Sequence, residues 1–389
     1  MSRPVTCRAP GKLLIAGEYA VLTPGQPAVV AAVDRYVTVT AAPAWRADIE
    51  LVTDLSPQPF LLHRDVGGHL PDTTHTPSHP HTHLLAAIAA VDELRIALGA
   101  PPLPVRLEVR SALHEQGVKI GLGSSGAVTV AAIQALDAFH RLTLSTEMRL
   151  RLALLATAAA DPYASGADVA ASTWGGWIRY TSPGRDHLHG IRLRQGITAA
   201  LRAHWPGLSL TPLPPPAADL QVGWTGSPAS TTTRVHRLQE TVWWNSEAHA
   251  RFRTRSARII DTLTHTLLHD PGKAPLSSID AARRLLAGLD QQTAAGIFTP
   301  ALTALCDAAR HLGGAGKPSG AGGGDCGIAL LPTSADPDAL HRAWTHAGIW
   351  PLALRTAPSQ VPDGTVQSIG AHLSTALPAS AEPGMRRAL

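Results

Sequence analysis

Hydrophobic residues recur at helical spacing in three consecutive segments of the chain's middle. The segment 82–98 places its large apolar residues on one helical face, namely Leu84, Ile88, Val91, Leu94 and Leu98. The segment 126–142 repeats this spacing with Val128, Ala132, Leu136 and Phe139. In 145–160, Ser145 occupies an N-cap position and Glu147 falls in the first turn. The pattern predicts three helices in succession.

Strand-like patterns flank this helical region. Residues 5–40 contain short apolar runs with a turn at Pro24-Gly25, and the segment 105–111 reads VRLEVRS. Residues 165–181 change from a helical pattern into a strand. We therefore predict strands before and after the helices.

A proline-rich segment, LTPLPPPAADLQVGWTG, follows at residues 210–226 and is typical of a domain junction. We predict two domains, residues 1–215 and 216–389, which also suits the length. Beyond the junction we expect two or three helices, a glycine-rich hinge at 313–327, the strand CGIALLP, and a final helix–strand pair.

Composition excludes several classes of protein. Of the 389 residues, 44% are hydrophobic and 16% charged, which is enough apolar material for ordinary globular cores. The net charge of +4 comes without any long Lys/Arg block, so we expect no nucleic-acid partner. No apolar signal core and no membrane-length apolar run occur, which favours a cytoplasmic protein without membrane association. Three cysteines are too few for a disulfide framework.

A histidine-rich stretch is the first candidate for chemistry. It contains His63, His69, His75, His79, His81 and His83. Such a composition raises the possibility of metal binding, but no cysteine or fixed carboxylate accompanies these histidines. We interpret residues 63–83 as a surface loop.

The hexapeptide GLGSSG at 121–126 has the G-x-G-x-x-G spacing of a dinucleotide-binding turn. Its context differs, because the preceding strand pattern ends near Arg110 and the helix that follows leads to another helix. The hexapeptide still suits a phosphate, since glycines admit close approach and a helix N-terminus attracts anions. A plain helix cap is the alternative explanation.

Lysine is rare in this arginine-rich chain, so each lysine is informative. Lys12, Lys119 and Lys317 lie in or beside glycine-rich stretches, whereas Lys273 lies in the loop-like DPGKAP. A lysine supplies a compact point charge that arginine does not. We therefore interpret the first three as candidates for specific sites.

Four stretches together resemble the GHMP family of small-molecule kinases. They are APGKLLIAGEYAVL (9–22), KIGLGSSGAVTVAA (119–132), SGADVAASTWGGWIRYTSP (165–183) and KPSGAGGGDCGIAL (317–330). The resemblance implies an α+β fold, in which an α/β N-terminal domain and a ferredoxin-like C-terminal domain enclose the active site in a cleft. It also implies ATP and Mg²⁺ as donor and cofactor.

The resemblance further implies roles for individual residues. Asp168 matches the family's catalytic carboxylate and Lys12 its cationic neighbour, although Asp168 also suits a helix N-terminal acid. The phosphates of ATP are expected on Gly121, Leu122, Gly123, Ser124, Ser125 and Gly126, with Ser124 or Ser125 near Mg²⁺. Thr157 stands where mevalonate kinases of the family carry a Mg²⁺-binding glutamate; Asp161 is a conceivable substitute, but its place before Pro162 favours a helix-end turn.

Residues 223–235 and 317–330, together with Lys119, most resemble family members that phosphorylate 5-phosphomevalonate. The acceptor-binding residues implied are Lys12, Lys119, Ser230, Gly322 and Gly323, with Gly320 and Gly324 near the transferred phosphate. Ser230 is nearly as well explained as a cap, and Asp325 as a local turn cap without a catalytic role.

A phosphate monoester has a second pKa of about 6, so such an acceptor is mostly dianionic at neutral pH. Asp168 would then orient groups more than abstract a proton, and Lys12 and Lys119 would offset repulsion between two anions. Mevalonate, or another alcohol, is the alternative acceptor and would need Asp168 as a base. A non-catalytic ATP or phosphomevalonate sensor and an NAD oxidoreductase are alternatives of another class. The sequence is compatible with a monomer or a homodimer.

Overall fold

The computed structural model describes residues 3–54, 56–71, 81–115, 117–229 and 231–360. The first part of the chain forms a seven-stranded sheet in the order β4-β3-β5-β2-β8-β9, with β1 paired to β2. Its strands are β1 (Val5–Ala16), β2 (Pro27–Pro43), β3 (Ile49–Thr53), β4 (Ser56–Leu62), β5 (Val105–Ser111), β8 (Trp177–Thr181) and β9 (Ser209–Leu213). A separate hairpin consists of β6 (His114–Glu115) and β7 (Val118–Lys119).

We expected several short strands in residues 5–40, and their number was wrong. That region forms two long antiparallel strands, β1 and β2, which are joined through a short 3-10 helix at Ala20–Leu22. β2 lies at the centre of the sheet and pairs with β1, β5 and β8. Because its first seven residues are buried without interruption, alternation could not reveal its full length.

Five helices accompany this sheet: α1 (Thr82–Ala97), α2 (Ser124–His140), α3 (Thr146–Ala160), α4 (Ala167–Trp174) and α5 (Arg185–Arg202). The three helices predicted from apolar spacing correspond to α1, α2 and α3, and the predicted strand 105–111 is β5. Ser145 caps α3 as expected, since its hydroxyl accepts a hydrogen bond from the Met148 N–H at 3.2 Å.

The rest of the described chain forms a four-stranded sheet in the order β11-β12-β10-β13. Its strands are β10 (Asp219–Trp224), β11 (Ala315–Pro318), β12 (Cys326–Leu331) and β13 (Trp350–Leu352). The helices are α6 (Thr231–Gln239), α7 (Glu247–His269), α8 (Leu276–Thr293), α9 (Pro300–His311) and α10 (Pro337–His346). When α6 to α9 are counted as one helical connection, the chain order is β-α-β-β-α-β, which together with the strand order gives this part a ferredoxin-like topology. The α+β fold class is confirmed.

Two expectations for this part need correction. Four helices, α6 to α9, lie between β10 and β11, where we expected two or three. The glycine-rich segment 313–327 is not a hinge throughout, because its residues 315–318 form the fully buried strand β11. The glycines obscured this strand, since glycine is uncommon in strand interiors.

The two sheets meet where the end of β1 contacts the segment after β11. The Leu14 N–H donates to the Ser319 hydroxyl at 3.0 Å, and that hydroxyl also lies 3.1 Å from the Leu14 carbonyl oxygen. The Tyr19 hydroxyl donates to the Ala321 carbonyl at 2.6 Å. The first and third glycine-rich motifs are thereby placed side by side.

Within the described ranges, no helix combines the length and apolar character needed to span a bilayer.

Candidate active site

A cavity of about 330 Å³ lies at the junction of the two sheets. Its wall includes residues of β1, α1, α2, α3 and α4 from the first part of the chain, and of α6 and the loop after β11 from the second. The predicted site residues on this wall are Lys12, Lys119, Gly121, Gly123, Ser124, Ser125, Asp168 and Gly320. The structure thus brings residues from all four motifs to one place.

The hexapeptide 121–126 forms the start of α2 at the cavity. Gly123 occupies the N-cap position with φ 74° and ψ 42°, a left-handed conformation that favours glycine, and no side chain caps the helix. The first N–H groups of a helix have no partner within the helix, so they are available to an anion in the cavity. The preceding strand is the short β7 rather than a strand of a parallel sheet, which excludes the dinucleotide-binding interpretation.

Lys12 and Asp168 are packed together beneath this loop. The Lys12 ammonium donates to the Gly121 carbonyl oxygen at 3.3 Å. A Cβ atom on Gly123 would lie 2.8 Å from Lys12 Cγ and 3.3 Å from Asp168 Cβ. Asp168 lies in the first turn of α4, where the helix dipole stabilises its negative charge. A cation and an anion therefore face the same helix N-terminus.

Lys119, at the end of β7, places a second ammonium group on the cavity. Its side chain is exposed, and none of the described carboxylates forms an ion pair with it. The Asp325 side chain packs against Gly121, where an added Cβ would lie 2.6 Å from Asp325 Cγ. Its carboxylate accepts a hydrogen bond from the Ala229 N–H at 3.0 Å, which is the local turn cap that the sequence suggested. Burial raises the pKa of the Asp325 carboxyl, while the Ala229 N–H and the Lys12 ammonium act against that rise.

Some predicted site residues lie behind the cavity wall. Leu122 belongs to the hydrophobic core, and its carbonyl accepts a hydrogen bond from the Lys12 N–H at 2.8 Å. Gly126 packs against Asp168, and Gly322 and Gly323 pack against Ile297 and Arg234. Neither Gly322 nor Gly323 lines the cavity, and their expected role in binding the acceptor stays a prediction. Ser230 lies outside the described residues.

Sequence reasoning missed a buried ion pair that joins the first and third motifs. Lys317 donates to the Glu18 carboxylate, and the two side chains are 0% and 2% exposed. The same ammonium donates to the Pro318 carbonyl oxygen at 2.7 Å. Glu18 borders the cavity, so this pair fixes one edge of it. The scarcity of lysine marked Lys317 as special, but its partner is distant in sequence.

The histidine-rich stretch needs a correction at its C-terminal end. His81 is buried just before α1, and His83 lies in the first turn of α1 and borders the cavity rather than forming surface loop. His63 and His69 are exposed, as expected for a loop, and residues 72–80 lie outside the described residues. The predicted helix start at Thr82 was the signal that could have separated His83 from the loop.

The wall of the cavity offers oxygen donors that suit Mg²⁺. The Ser124 and Ser125 hydroxyls and the Asp168 carboxylate border the cavity, and Mg²⁺ prefers hard oxygen ligands. Thr157 lies on the wall, whereas both carboxylate oxygens of Asp161 already accept hydrogen bonds, from the Tyr163 N–H and the Thr232 hydroxyl. In the described part of the chain, no cluster of three or more His, Cys, Asp or Glu side chains could hold a metal ion. These donors fit a metal that takes most of its ligands from phosphate and water.

Comparisons with known proteins agree with this arrangement. The family model for the GHMP kinases N terminal domain matches residues 84–176, and that for the GHMP kinases C terminal matches residues 274–349. The phosphomevalonate kinase of Streptomyces sp. (strain CL190) is 46% identical over 370 residues, which cover 91% of this chain and 98% of that protein.

Two solved structures extend the similarity to the whole fold. The Lin0012 protein from Listeria innocua superposes with a TM-score of 0.84 and 33% identity, covering 93% of this chain and 100% of that chain. Streptococcus pneumoniae phosphomevalonate kinase in complex with phosphomevalonate and AMPPNP gives a TM-score of 0.78 and 27% identity, covering 90% and 99%.

Proposed function

The chain belongs to the GHMP kinase family, and we propose from this premise that it transfers the γ-phosphoryl group of ATP to 5-phosphomevalonate. The products are 5-diphosphomevalonate and ADP, so the enzyme is a phosphotransferase of the mevalonate pathway of isoprenoid biosynthesis. The relative from Streptomyces, which is 46% identical across nearly its full length, is named a phosphomevalonate kinase.

The observation that carries this proposal is the pair of ammonium groups on one cavity. Lys12 and Lys119 border the same space as the N-terminus of α2, although they come from β1 and β7. Transfer between two phosphates brings two anions together, and fixed cations offset their repulsion. Mevalonate has a carboxylate but no phosphate, so transfer to its hydroxyl would not bring two phosphate groups together and would have less need of a second ammonium group; Lys119 therefore favours the phosphorylated acceptor.

The donor site is assigned to the N-terminus of α2. The uncapped N–H groups of its first turn suit the β- and γ-phosphates of ATP. Ser124 and Ser125 would hold Mg²⁺ together with those phosphates, and Asp168 lies close enough to contribute. When bound, Mg²⁺ neutralises charge on the phosphate oxygens. Lys12 stabilises the charge that develops on the transferred group.

Asp168 has an orienting role in this scheme. The acceptor phosphate is mostly dianionic at neutral pH, so its attacking oxygen is already deprotonated and no base is needed to remove a proton. Asp168 holds the Lys12 side chain and the acceptor in line with ATP. A mevalonate hydroxyl would instead require Asp168 as a base, which makes the choice of acceptor testable by kinetics.

The test is ADP release by the purified protein with ATP and Mg²⁺, when mevalonate and 5-phosphomevalonate are offered separately. We expect turnover with 5-phosphomevalonate alone. Turnover with mevalonate alone would overturn the proposal and restore the base role of Asp168. Nucleotide binding without turnover on either compound would favour the sensor alternative.

All groups in this scheme come from one chain, which is compatible with a monomer or a homodimer. The use of ATP as donor supports a cytoplasmic location. We retain the domain division at residues 215 and 216, because it falls between the last strand of the first sheet and the first strand of the second.

Lys119→Ala should weaken use of the acceptor more than use of ATP. Loss of one charge-assisted hydrogen bond to the acceptor phosphate should raise the KM for 5-phosphomevalonate about 10–100-fold, with little change in the KM for ATP. Steady-state kinetics with each substrate varied in turn measures both values. Lys273→Ala, in an exposed loop, is the matched control and should change neither. Equal losses for both substrates would contradict the assignment of Lys119.

Gly126→Ala should impair catalysis without weakening the fold. A Cβ atom at this position would lie 2.6 Å from Cγ of Asp168, so the carboxylate must rotate away. Displacement of a catalytic group by about 1 Å can cost about 10²-fold in rate. Gly126 lies in the first turn of α2, and alanine has a higher helix propensity than glycine, so the helix itself should not be weakened. The measurements are kcat and the melting temperature.

The control for this change is Gly288→Ala in α8, where an added Cβ meets no atom within 4 Å. It should raise the melting temperature slightly and leave kcat unchanged. An unchanged kcat in Gly126→Ala would show that the observed position of Asp168 is not needed for transfer.

A further inference from the structure

Two polar groups without hydrogen-bond partners lie at the wall that α1 and α3 contribute to the cavity. Nδ1 of His83 and the hydroxyl of Thr157 are both buried and make no hydrogen bond to any described residue. Both residues border the cavity. Buried polar groups normally find a partner, and an unpaired one costs free energy. A ligand in the cavity is a natural source of that partner.

The position on the cavity is what separates these two residues from other unpaired groups. His140 also has two unpaired ring nitrogens, but it lies at the end of α2 and does not border the cavity. Other polar residues on the same wall are already engaged, since Asp161 accepts from Tyr163 and Thr232. His83 and Thr157 therefore have hydrogen-bonding capacity to offer to a bound molecule.

The charges around His83 select the kind of group that can bind there. Asp168 and Asp161 are close enough to act on the ring electrostatically, and Lys119 acts in the opposite sense. Burial nevertheless dominates and lowers the pKa of His83, so the imidazole is neutral at pH 7. Asp168 and Asp161 would repel a ligand carboxylate placed beside the neutral His83 ring. An uncharged polar group is favoured at this wall.

A hydroxyl group matches both residues. A neutral imidazole has one donor and one acceptor, and a threonine hydroxyl both donates and accepts. A ligand hydroxyl can pair with both whichever ring nitrogen carries the proton. The proposed acceptor has a single hydroxyl, the tertiary hydroxyl on its third carbon, and phosphoryl transfer to the phosphate leaves it unchanged.

We propose that His83 and Thr157 bind the tertiary hydroxyl of the acceptor and thereby determine which phosphorylated compounds are used. The inference rests on the proposed function, because it takes 5-phosphomevalonate as the acceptor. Neither residue takes part in phosphoryl transfer. Both select the acceptor and position its carbon chain so that its phosphate lies near Lys12 and Lys119.

The experiment compares 5-phosphomevalonate with its 3-deoxy analogue, in which hydrogen replaces the tertiary hydroxyl. We expect the wild type to prefer the natural acceptor on the order of 100-fold in kcat/KM, since the analogue leaves both groups unpaired. Thr157→Val should lower kcat/KM for 5-phosphomevalonate about 10-fold and leave that for the analogue nearly unchanged. His83→Leu should act in the same way, and the double variant should lose the preference.

Conservative variants and matched controls separate recognition from general damage. Thr157→Ser and His83→Asn retain a polar group and should restore much of the preference. Thr266→Val removes a buried threonine hydroxyl that is already bonded to the Thr262 carbonyl, and His140→Leu removes an unpaired histidine away from the cavity. Both controls should keep the wild-type preference.

The outcomes distinguish this inference from the proposed function. Wild-type turnover of 5-phosphomevalonate with an undiminished preference in Thr157→Val and His83→Leu would overturn the inference alone. Equal losses on both compounds would also overturn it, because they indicate a purely structural role. Absence of wild-type turnover with 5-phosphomevalonate would overturn the proposed function and this inference together.

Discussion

Lys12→Met should reduce kcat about 10³-fold while the KM values change far less, because the lysine acts on charge that develops during transfer. Methionine keeps the length and apolar stem of the side chain, so the packing against Gly123 is retained. What is lost is the ammonium group that lies 3.3 Å from the Gly121 carbonyl oxygen at the start of the phosphate loop. Single-turnover measurements with saturating ATP and 5-phosphomevalonate isolate the chemical step.

The matched control is Lys273→Met, which removes an ammonium group from the exposed loop between α7 and α8. It should be indistinguishable from the wild type in kcat. A loss of less than about tenfold in Lys12→Met would place the transferred phosphoryl group elsewhere, since one preorganised donor to developing charge contributes at least 10². A large rise in the KM for ATP with normal kcat would make Lys12 a binding residue.

The helices of the first part of the chain could be predicted because large apolar residues recur at helical spacing over several turns, even though most positions of α1, α2 and α3 are buried. The strands were harder. β2 is buried on both faces over its first half, so it shows no alternation, and the glycines before β12 concealed β11. Alternation along a strand appears only when one face is exposed, so a strand buried on both faces lacks that pattern, whereas helical spacing of large apolar residues remains visible in a buried helix.

The candidate site could be predicted as far as its motifs reach. Lys12, Asp168 and the hexapeptide 121–126 belong to recognisable stretches, and the structure brings them together. His83 was obscured by its histidine-rich neighbours, and Thr157 was noticed only as a departure from the mevalonate kinase pattern. Their unpaired atoms become evident only when the cavity is known. Whether a buried hydrogen-bonding group can bind a ligand depends on which atoms surround it in the fold, and a single sequence does not give those contacts.

The ion pair between Glu18 and Lys317 illustrates the same limit over a longer distance. The two residues are 299 positions apart, and their pairing depends on how the second sheet docks against β1. Ser319 and Tyr19 make further hydrogen bonds across this junction. The two motifs therefore form one unit at the edge of the cavity, and the ion pair is its most buried polar contact.

Lys317→Met should lower the free energy of unfolding by about 3–5 kcal/mol, because it leaves the Glu18 carboxylate buried without its cation. For a protein of this size we expect a melting temperature lower by on the order of 10 °C. The double variant Glu18→Met/Lys317→Met should recover most of the loss, since a buried ion pair and apolar residues of similar volume are often equivalent in stability. Thermal unfolding followed by circular dichroism measures all three proteins. As the surface control, Arg342→Met breaks the exposed pair with Asp336 and should cost less than about 1 kcal/mol. A Lys317→Met protein as stable as this control would mean that the Glu18 carboxylate finds another partner or water, and that the junction between the two sheets does not depend on the pair.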